Sequence, residues 1–313
     1  MRARFGVRSA FGTLERVLVH RPGPELDLVT HATLDEFNFA RPVDRMRFIA
    51  EYDAMLECFT RNGVEVVLLT DVLANDREAL SYIAGRPNMT YTRDLACVFS
   101  SGAVLMGPHL IGRRGDESML SRAFERLGIP VLGRVAQPGF LEGGGVTMLG
   151  TDTILASICD RANDAGTAQL RQLTLGGDIH FFLEVPLPRG HIHIDGLFMV
   201  LTEDLCLIHE ETLAHLSCRL YETGGRAPRQ VHFGEYLAER NVRCIAITEQ
   251  ERVEGHLNLV VLKRGRLAVG LGEATRLCGE LARFGWQIET FPSVELAMGK
   301  GGAHCMTCPL LVQ

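Results

Sequence analysis

The sequence predicts an α/β fold made of five repeated helix–strand units. Two observations carry that prediction. Amphipathic helical stretches repeatedly end at Gly or Asn with a β-branched run directly behind them, a left-handed helix stop followed by strand character. The junctions at Gly63, Gly128, Gly177, Asn241 and Gly285 recur 44 to 65 residues apart, as repeated supersecondary units do. An ordinary α/β sandwich also alternates helices and strands, and the unequal spacing keeps it as an alternative. Five units closing in a ring would gather their strand ends and loops around one central site.

In chain order, residues 49–62 read as a helix leading into a strand at 63–69, and 118–127 lead into 128–132. The weakest unit runs from 165–174 into 177–185. Residues 233–240 lead into 241–247, and 274–284 into 285–289. Between the junctions, the apolar runs 96–106, 146–158, 196–208 and 257–270 supply further strands. No Pro/Gly/Ser-rich linker cuts the chain, so residues 1–313 read as a single domain.

Composition narrows the function. Hydrophobic residues at 46% and charged residues at 22% exclude a disordered or fibrous chain. A net charge of −6 without a basic patch argues against a nucleic-acid partner. Apolar runs such as 197–201 and 257–262 are too short to span a bilayer, so no membrane association is expected. The N-terminal stretch is broken by Gly12, Glu15, Arg16 and His20 and is no signal peptide. Nine scattered cysteines predict free thiols and a cytoplasmic location. Homo-oligomerisation stays open. The only lysines are Lys263 and Lys300, and Lys300 stands in a glycine-rich run.

That run is Gly299-Lys300-Gly301-Gly302-Ala303-His304-Cys305-Met306-Thr307-Cys308-Pro309. Glycines permit positive φ and the close approach of a ligand. A Cys behind such a loop, near backbone N–H groups and a cation, is suited to be a nucleophile. Cys305 takes that role and Cys308 that of a packed neighbour. A Cys-x-x-Cys redox pair is the alternative, but no thioredoxin-like setting surrounds it. No second Cys-x-x-Cys exists to complete a zinc site.

In His191-Ile192-His193-Ile194-Asp195-Gly196, strand alternation would put both histidines and Asp195 on one face. One reading is a metal site of His191, His193 and Asp195. The other pairs His193, as acid/base, with Cys305. Asp94 closes Asn88-Met-Thr-Tyr-Thr-Arg-Asp94, and Glu142 opens Glu142-Gly-Gly-Gly145. Each stands before a predicted strand, at corresponding places in successive units.

In this order the motifs resemble the guanidino-group-modifying superfamily, the pentein α/β propellers, and most closely arginine deiminase. Val17-Leu-Val-His-Arg-Pro-Gly23 is similar to that family's first strand and loop, and residues 51–69 to its first helix and strand. Asn88 with Thr92-Arg93-Asp94, Glu142-Gly-Gly, His193-Ile-Asp195 and Gly301-Gly-Ala-His-Cys-Met-Thr-Cys-Pro309 follow. The resemblance implies a five-bladed pseudosymmetric propeller. The family's helical insertion is missing, since only residues 72–87 fill its place.

The resemblance also implies roles. Asp94 and Asp195 would bracket a planar guanidinium with charge-assisted hydrogen bonds. Cys305 would attack its carbon, His193 would move the protons, and Glu142 would orient His193. Asn88, Arg113, Arg161 and Lys300 would hold the rest of a small-molecule guanidino substrate, with no cofactor and no metal. Arginine deiminase activity comes first. An arginine dihydrolase, a methylarginine hydrolase or an amidinotransferase would share the covalent intermediate. A metal-dependent hydrolase on His191, His193 and Asp195, or an idle binding protein, are the alternatives from other classes. Two departures stand near the expected substrate. The family's Glu-Gly-Gly-Asp ends in Gly145 here, which is expected to open space, and an Arg is replaced by Lys300, a point charge rather than a planar fork.

Overall fold

The five predicted helix–strand units all form, and each belongs to a small sheet of its own. In the computed structural model, which describes residues 4–272 and 274–313, the unit helices are Arg45–Arg61, Glu117–Leu127, Asp164–Thr174, Phe233–Glu239 and Thr275–Ala282. The strands behind them are Glu65–Leu68, Val131–Arg134, Phe181–Pro186, Arg243–Ala246 and Gln287–Phe291. Gly63, Gly128, Asn241 and Gly285 take positive φ, as the helix-stop reading requires. In the weakest unit the left-handed residue is Gly176 (φ 91°), one place before the expected Gly177.

Each of these strands lies parallel to the strand before its helix: Leu14–Val19, Ala103–Leu105, Thr153–Ile158, Leu205–Ile208 and Leu267–Leu271. Each of those pairs antiparallel with a further strand, in turn Cys308–Val312, Ala96–Val98, Val146–Met148, Phe198–Thr202 and Val260–Lys263. The four apolar runs read as strands are thus hairpins. In the first sheet the hairpin partner is the last strand of the chain, which also pairs with Gly6–Val7. The third sheet carries two more strands, Ser217–Glu222 and Arg229–His232. The sequence reading assigned nothing there, although Cys218 and Leu220 alternate into the core.

Strand alternation divides each sheet between two cores. Ile154, Ala156 and Phe182 pack against the second sheet, whereas Leu155 and Leu183 pack against the fourth. Met199 and Leu201 face the fifth sheet, and Val200 faces the third. The remaining cores join the first sheet to the second and the first to the fifth. Each unit helix fills the core between its own sheet and the preceding one, as Leu120 and Phe124 do between the first and second. Residues 72–87 hold one short helix, Arg77–Ile83. Among the described residues no helix is long and apolar enough to cross a membrane, and all nine cysteines are unpaired.

Candidate active site

In every sheet the strand that forms the antiparallel hairpin pair is preceded by a turn, and these turns carry the polar residues. Thr92–Leu95 brings Asp94 ahead of Ala96–Val98, and Gly143–Gly145 follows Glu142 ahead of Val146–Met148. Ile194–Gly196 follows His193 and contains Asp195, ahead of Phe198–Thr202. Cys305 precedes Cys308–Val312 in the same way. The expected strand placing His191, His193 and Asp195 on one face is therefore corrected: the chain makes a 3₁₀ turn there. His193 is buried while Ile192 is exposed.

His193 Nε2 lies 2.9 Å from Glu142 Oε2, and its Nδ1 is 3.9 Å from Asp94 Oδ1. Burial alone would lower the histidine's pKa, but the carboxylates of Asp94 and Glu142 outweigh it and hold the ring above its ordinary value. Glu142 is fully buried. Burial would raise its pKa, yet the His193 hydrogen bond and the cations Arg113 and Arg161 hold it far below the carboxylate range. Arg161 Nη1 donates to Glu142 at 3.3 Å. Arg113 Nη1 donates to Asp94 at 2.6 Å, and the Gly144 N–H donates to the other Asp94 oxygen at 3.3 Å.

Gly144 separates two groups that must nearly touch it. A Cβ there would lie 2.5 Å from His193 Nδ1 and 2.9 Å from Asp195 Oδ2. Asp195 Oδ2 is 3.9 Å from Cys305 Sγ and 3.0 Å from His304 Nδ1. Burial works against the Asp195 carboxylate, but the His304 contact overrides it and lowers the pKa. Cys305 is pushed well above the ordinary thiol value by burial and then by the charges of Asp195 and Asp94. Its loop is pinned from the second unit, where Arg93 N–H donates to Cys305 O and Thr92 Oγ1 donates to Met306 O.

These groups meet a cavity of about 440 Å³, lined by His191, His193, Asp195, Asn258, Lys300 and Cys305 among others. Asp94 and Glu142 stand behind His193, off the lining. Asn88, Arg113 and Arg161 also lie off the lining: Asn88 donates to Phe37 O, and the two arginines serve Asp94, Glu142 and Tyr91 O. Lys300 does line the cavity, with φ 58° and its Nζ on Asn38 Oδ1 at 3.1 Å. Gly145 does not line it. A Cβ there would face Ser157 Oγ and Leu141 Cδ1, so the expected opening of the substrate space at this position is corrected. The glycines before the nucleophile close around Tyr91: a Cβ on Gly301 would come within 2.6 Å of its ring.

Cys308 is buried against Ala96 O, and burial pushes its thiol up to about 12. Two groups of ligand-type atoms lie within 4.8 Å of one another among the described residues: Asp195, His304 and Cys305, and Asp94, Glu142 and His193. Either has the donors for a small cation. His191 belongs to neither, so the expected triplet of His191, His193 and Asp195 is not brought together. Sequence reasoning missed His304 and Asn258 as site residues. The signal for Asn258 was its place just before the strand Val260–Lys263, where every other unit delivers a site residue.

Comparison with known proteins follows the same lines. Residues 76–311 match the family model described as arginine deiminase. The chain is 23% identical to the arginine deiminase of Rhodococcus erythropolis, over 97% of this chain and 96% of that one. It is 22% identical to that of Mycolicibacterium gilvum, over 98% of each. These alignments run over 404 and 408 positions, so the relatives carry segments that this chain of 313 residues lacks. A solved dimethylarginine dimethylaminohydrolase adduct with S-methyl-L-thiocitrulline superimposes with a TM-score of 0.72 at 17% identity, over 95% of this chain and 99% of that one. An arginine dihydrolase of the cyanobacterial ornithine–ammonia cycle does so at 0.70 and 15% identity, over 96% of this chain and 39% of that one. At these identities the structural likeness speaks for the fold.

Proposed function

The chain belongs to the arginine deiminase family, and from that premise we propose that it hydrolyses a guanidino compound through a covalent cysteine intermediate. Arginine or a modified arginine would give the ureido amino acid and ammonia or an amine. The observation that carries this reading is Cys305, Asp195 and His193 lining one cavity, with Glu142 hydrogen-bonded behind the imidazole. The same reading takes the five sheets as blades of a closed propeller around that cavity, supported by the core shared between the first sheet and the fifth.

Each residue has a task in the reaction. Asp195 lines the cavity and offers the guanidinium an anionic partner, while Asp94, held by Arg113 behind His193, adds negative charge from the second unit. The arriving cation offsets the carboxylate charges that hold the Cys305 proton, so that proton leaves to water and the thiolate forms in the occupied site. The sulfur attacks the guanidino carbon and a C–S bond forms. His193, held protonated by its two carboxylates, gives its proton to the departing nitrogen as the C–N bond breaks. Water then adds to the thiouronium carbon and gives a proton to His193. As the C–S bond breaks, the remaining hydroxyl proton passes to the released ammonia or amine, the ureido carbonyl forms, and the thiolate returns to be reprotonated from water when the product leaves. Arg113 and Arg161 act from behind, fixing Asp94 and Glu142.

The cavity volume favours a second reading of the substrate. About 440 Å³ is within the roughly 300–1,000 Å³ of small-molecule sites that take drug-sized ligands. It has room for a substituted guanidine, or for an amine acceptor beside the intermediate, which would make the enzyme an amidinotransferase. A panel of guanidino compounds, incubated with and without amine acceptors and read by mass spectrometry, tests both. A ureido product with ammonia or amine supports hydrolysis, and a transferred amidino group supports the second reading. No product from any member, or activity abolished by a chelator and restored by metal, overturns the proposal.

A further inference from the structure

We propose that Asn258 is a positioning residue for the nucleophile, fixing the turn that carries Cys305 and donating a hydrogen bond to its sulfur. The inference rests on the reading of Cys305 as the nucleophile. Asn258 lies in the fifth unit directly before the strand Val260–Lys263 and lines the cavity. That is the place at which the other units deliver Asp94, Glu142, His193 with Asp195, and Cys305. Its neighbours Leu257 and Leu259 are buried in the core between the fourth and fifth sheets, which fixes the backbone from which the amide projects.

The amide has two jobs that define its orientation. Asn258 Oδ1 accepts from the backbone N–H of His304 at 2.7 Å and of Cys305 at 3.4 Å. Two N–H donors can face only the oxygen, so the NH₂ group is left toward the sulfur. Nδ2 donates to Cys305 Sγ at 3.0 Å. A donor on sulfur favours the thiolate over the thiol.

The other groups around the sulfur mostly oppose the thiolate. Burial disfavours the charged sulfur, and Asp195 and Asp94 bring negative charge from the fourth and second units. His304 is tied to Asp195, and His193 to Glu142. Asn258 is the neutral side-chain donor that reaches Sγ directly among the described residues, beside the backbone of Gly302. A polar side chain that organises the nucleophile's backbone and sulfur together is what a preformed site needs.

The test is alkylation of Cys305 by iodoacetamide, followed by mass spectrometry of the Cys305 peptide, from about pH 6 to 10. It uses the full chain and needs no guanidino substrate. Asn258→Ala removes both contacts. Asn258→Leu keeps the volume and adds no charge while removing both contacts. Both variants are expected to slow alkylation about tenfold or more at a fixed pH and to move the profile up by about one to two units, the size of a hydrogen bond to a charged group. If Asn258→Ala does not fold, Asn258→Leu decides alone. An unchanged profile overturns the proposal, as does faster alkylation, which would mean that Asn258 merely shields the thiol. Failure of the guanidino panel with a shifted alkylation profile would instead overturn the reaction and leave this role standing.

Discussion

Cys305 and Cys308 stand three residues apart, yet they face different surroundings. Cys305 reaches the cavity and Asn258, while Cys308 is sealed in the core between the first and second sheets. Cys305→Ser is expected to abolish turnover with the fold intact, because a hydroxyl is a far weaker nucleophile than a thiolate. Cys308→Ser should keep most of the activity, and steady-state rates of the two variants check the contrast. Gly144→Ala should be nearly as damaging as the loss of a catalytic group, about 100-fold or more in kcat, because its methyl group would displace His193 and Asp195. Circular dichroism should show the fold retained. Glu142→Gln removes a carboxylate that holds His193 in its charged form. The imidazole then falls toward its ordinary pKa, and since His193 acts as an acid, the alkaline limb of the kcat profile moves to lower pH. KM should change little, because Glu142 does not line the cavity.

At the scale of the element, local chemistry sets where helices stop and start. Gly128 ends its helix at φ 68° with nothing within 4 Å of a Cβ. Gly128→Ala therefore tests backbone strain alone, and a loss of about 1 kcal/mol is expected in urea titrations. The helix Glu249–Val253 opens with a capping box between Thr248 and Glu251. Arg252, from that helix, and Glu254, just beyond it, wall the cavity. Thr248→Ala should cost about 1 kcal/mol of stability and raise KM more than it lowers kcat. Equal losses in both constants would show that this helix does not shape the substrate wall.

Across the whole molecule, the chain closes on itself through its last strand. Cys308–Val312 lies between Gly6–Val7 and Leu14–Val19 in the first sheet. Removing residues 308–313 should abolish cooperative unfolding, not merely weaken it, since both cores of the first sheet lose a strand. The site also contributes to the acid limit of the fold, beside carboxylates such as Glu25 and Glu295 that ion pairs hold low elsewhere. Glu142 and Asp195 have depressed pKa values, so their stabilising contribution is present above the ordinary carboxylate range of about 4 and is lost as pH falls through the depressed values. His193 has the opposite sign, its contribution being lost as pH rises through its raised value. Glu142→Gln should flatten the fall of the urea midpoint below about pH 4.

The sequence by itself determined the five helix–strand units, because helix stops such as Gly63 and Asn241 and the β-branched runs behind them act over a few residues. Motif identity also placed Asp94, Glu142, His193, Asp195 and Cys305 at matching points of those units. Only the tertiary structure decided what meets across units. Arg113 and Arg161, read as substrate ligands, stand behind the carboxylates they support. Gly145 faces Ser157 and not the cavity, and His191 separates from His193 because the chain turns there in place of a strand. Asn258 reaches a sulfur 47 residues away in sequence. Such contacts depend on side-chain direction at the end of each turn, fixed by packing between sheets and not by local pattern.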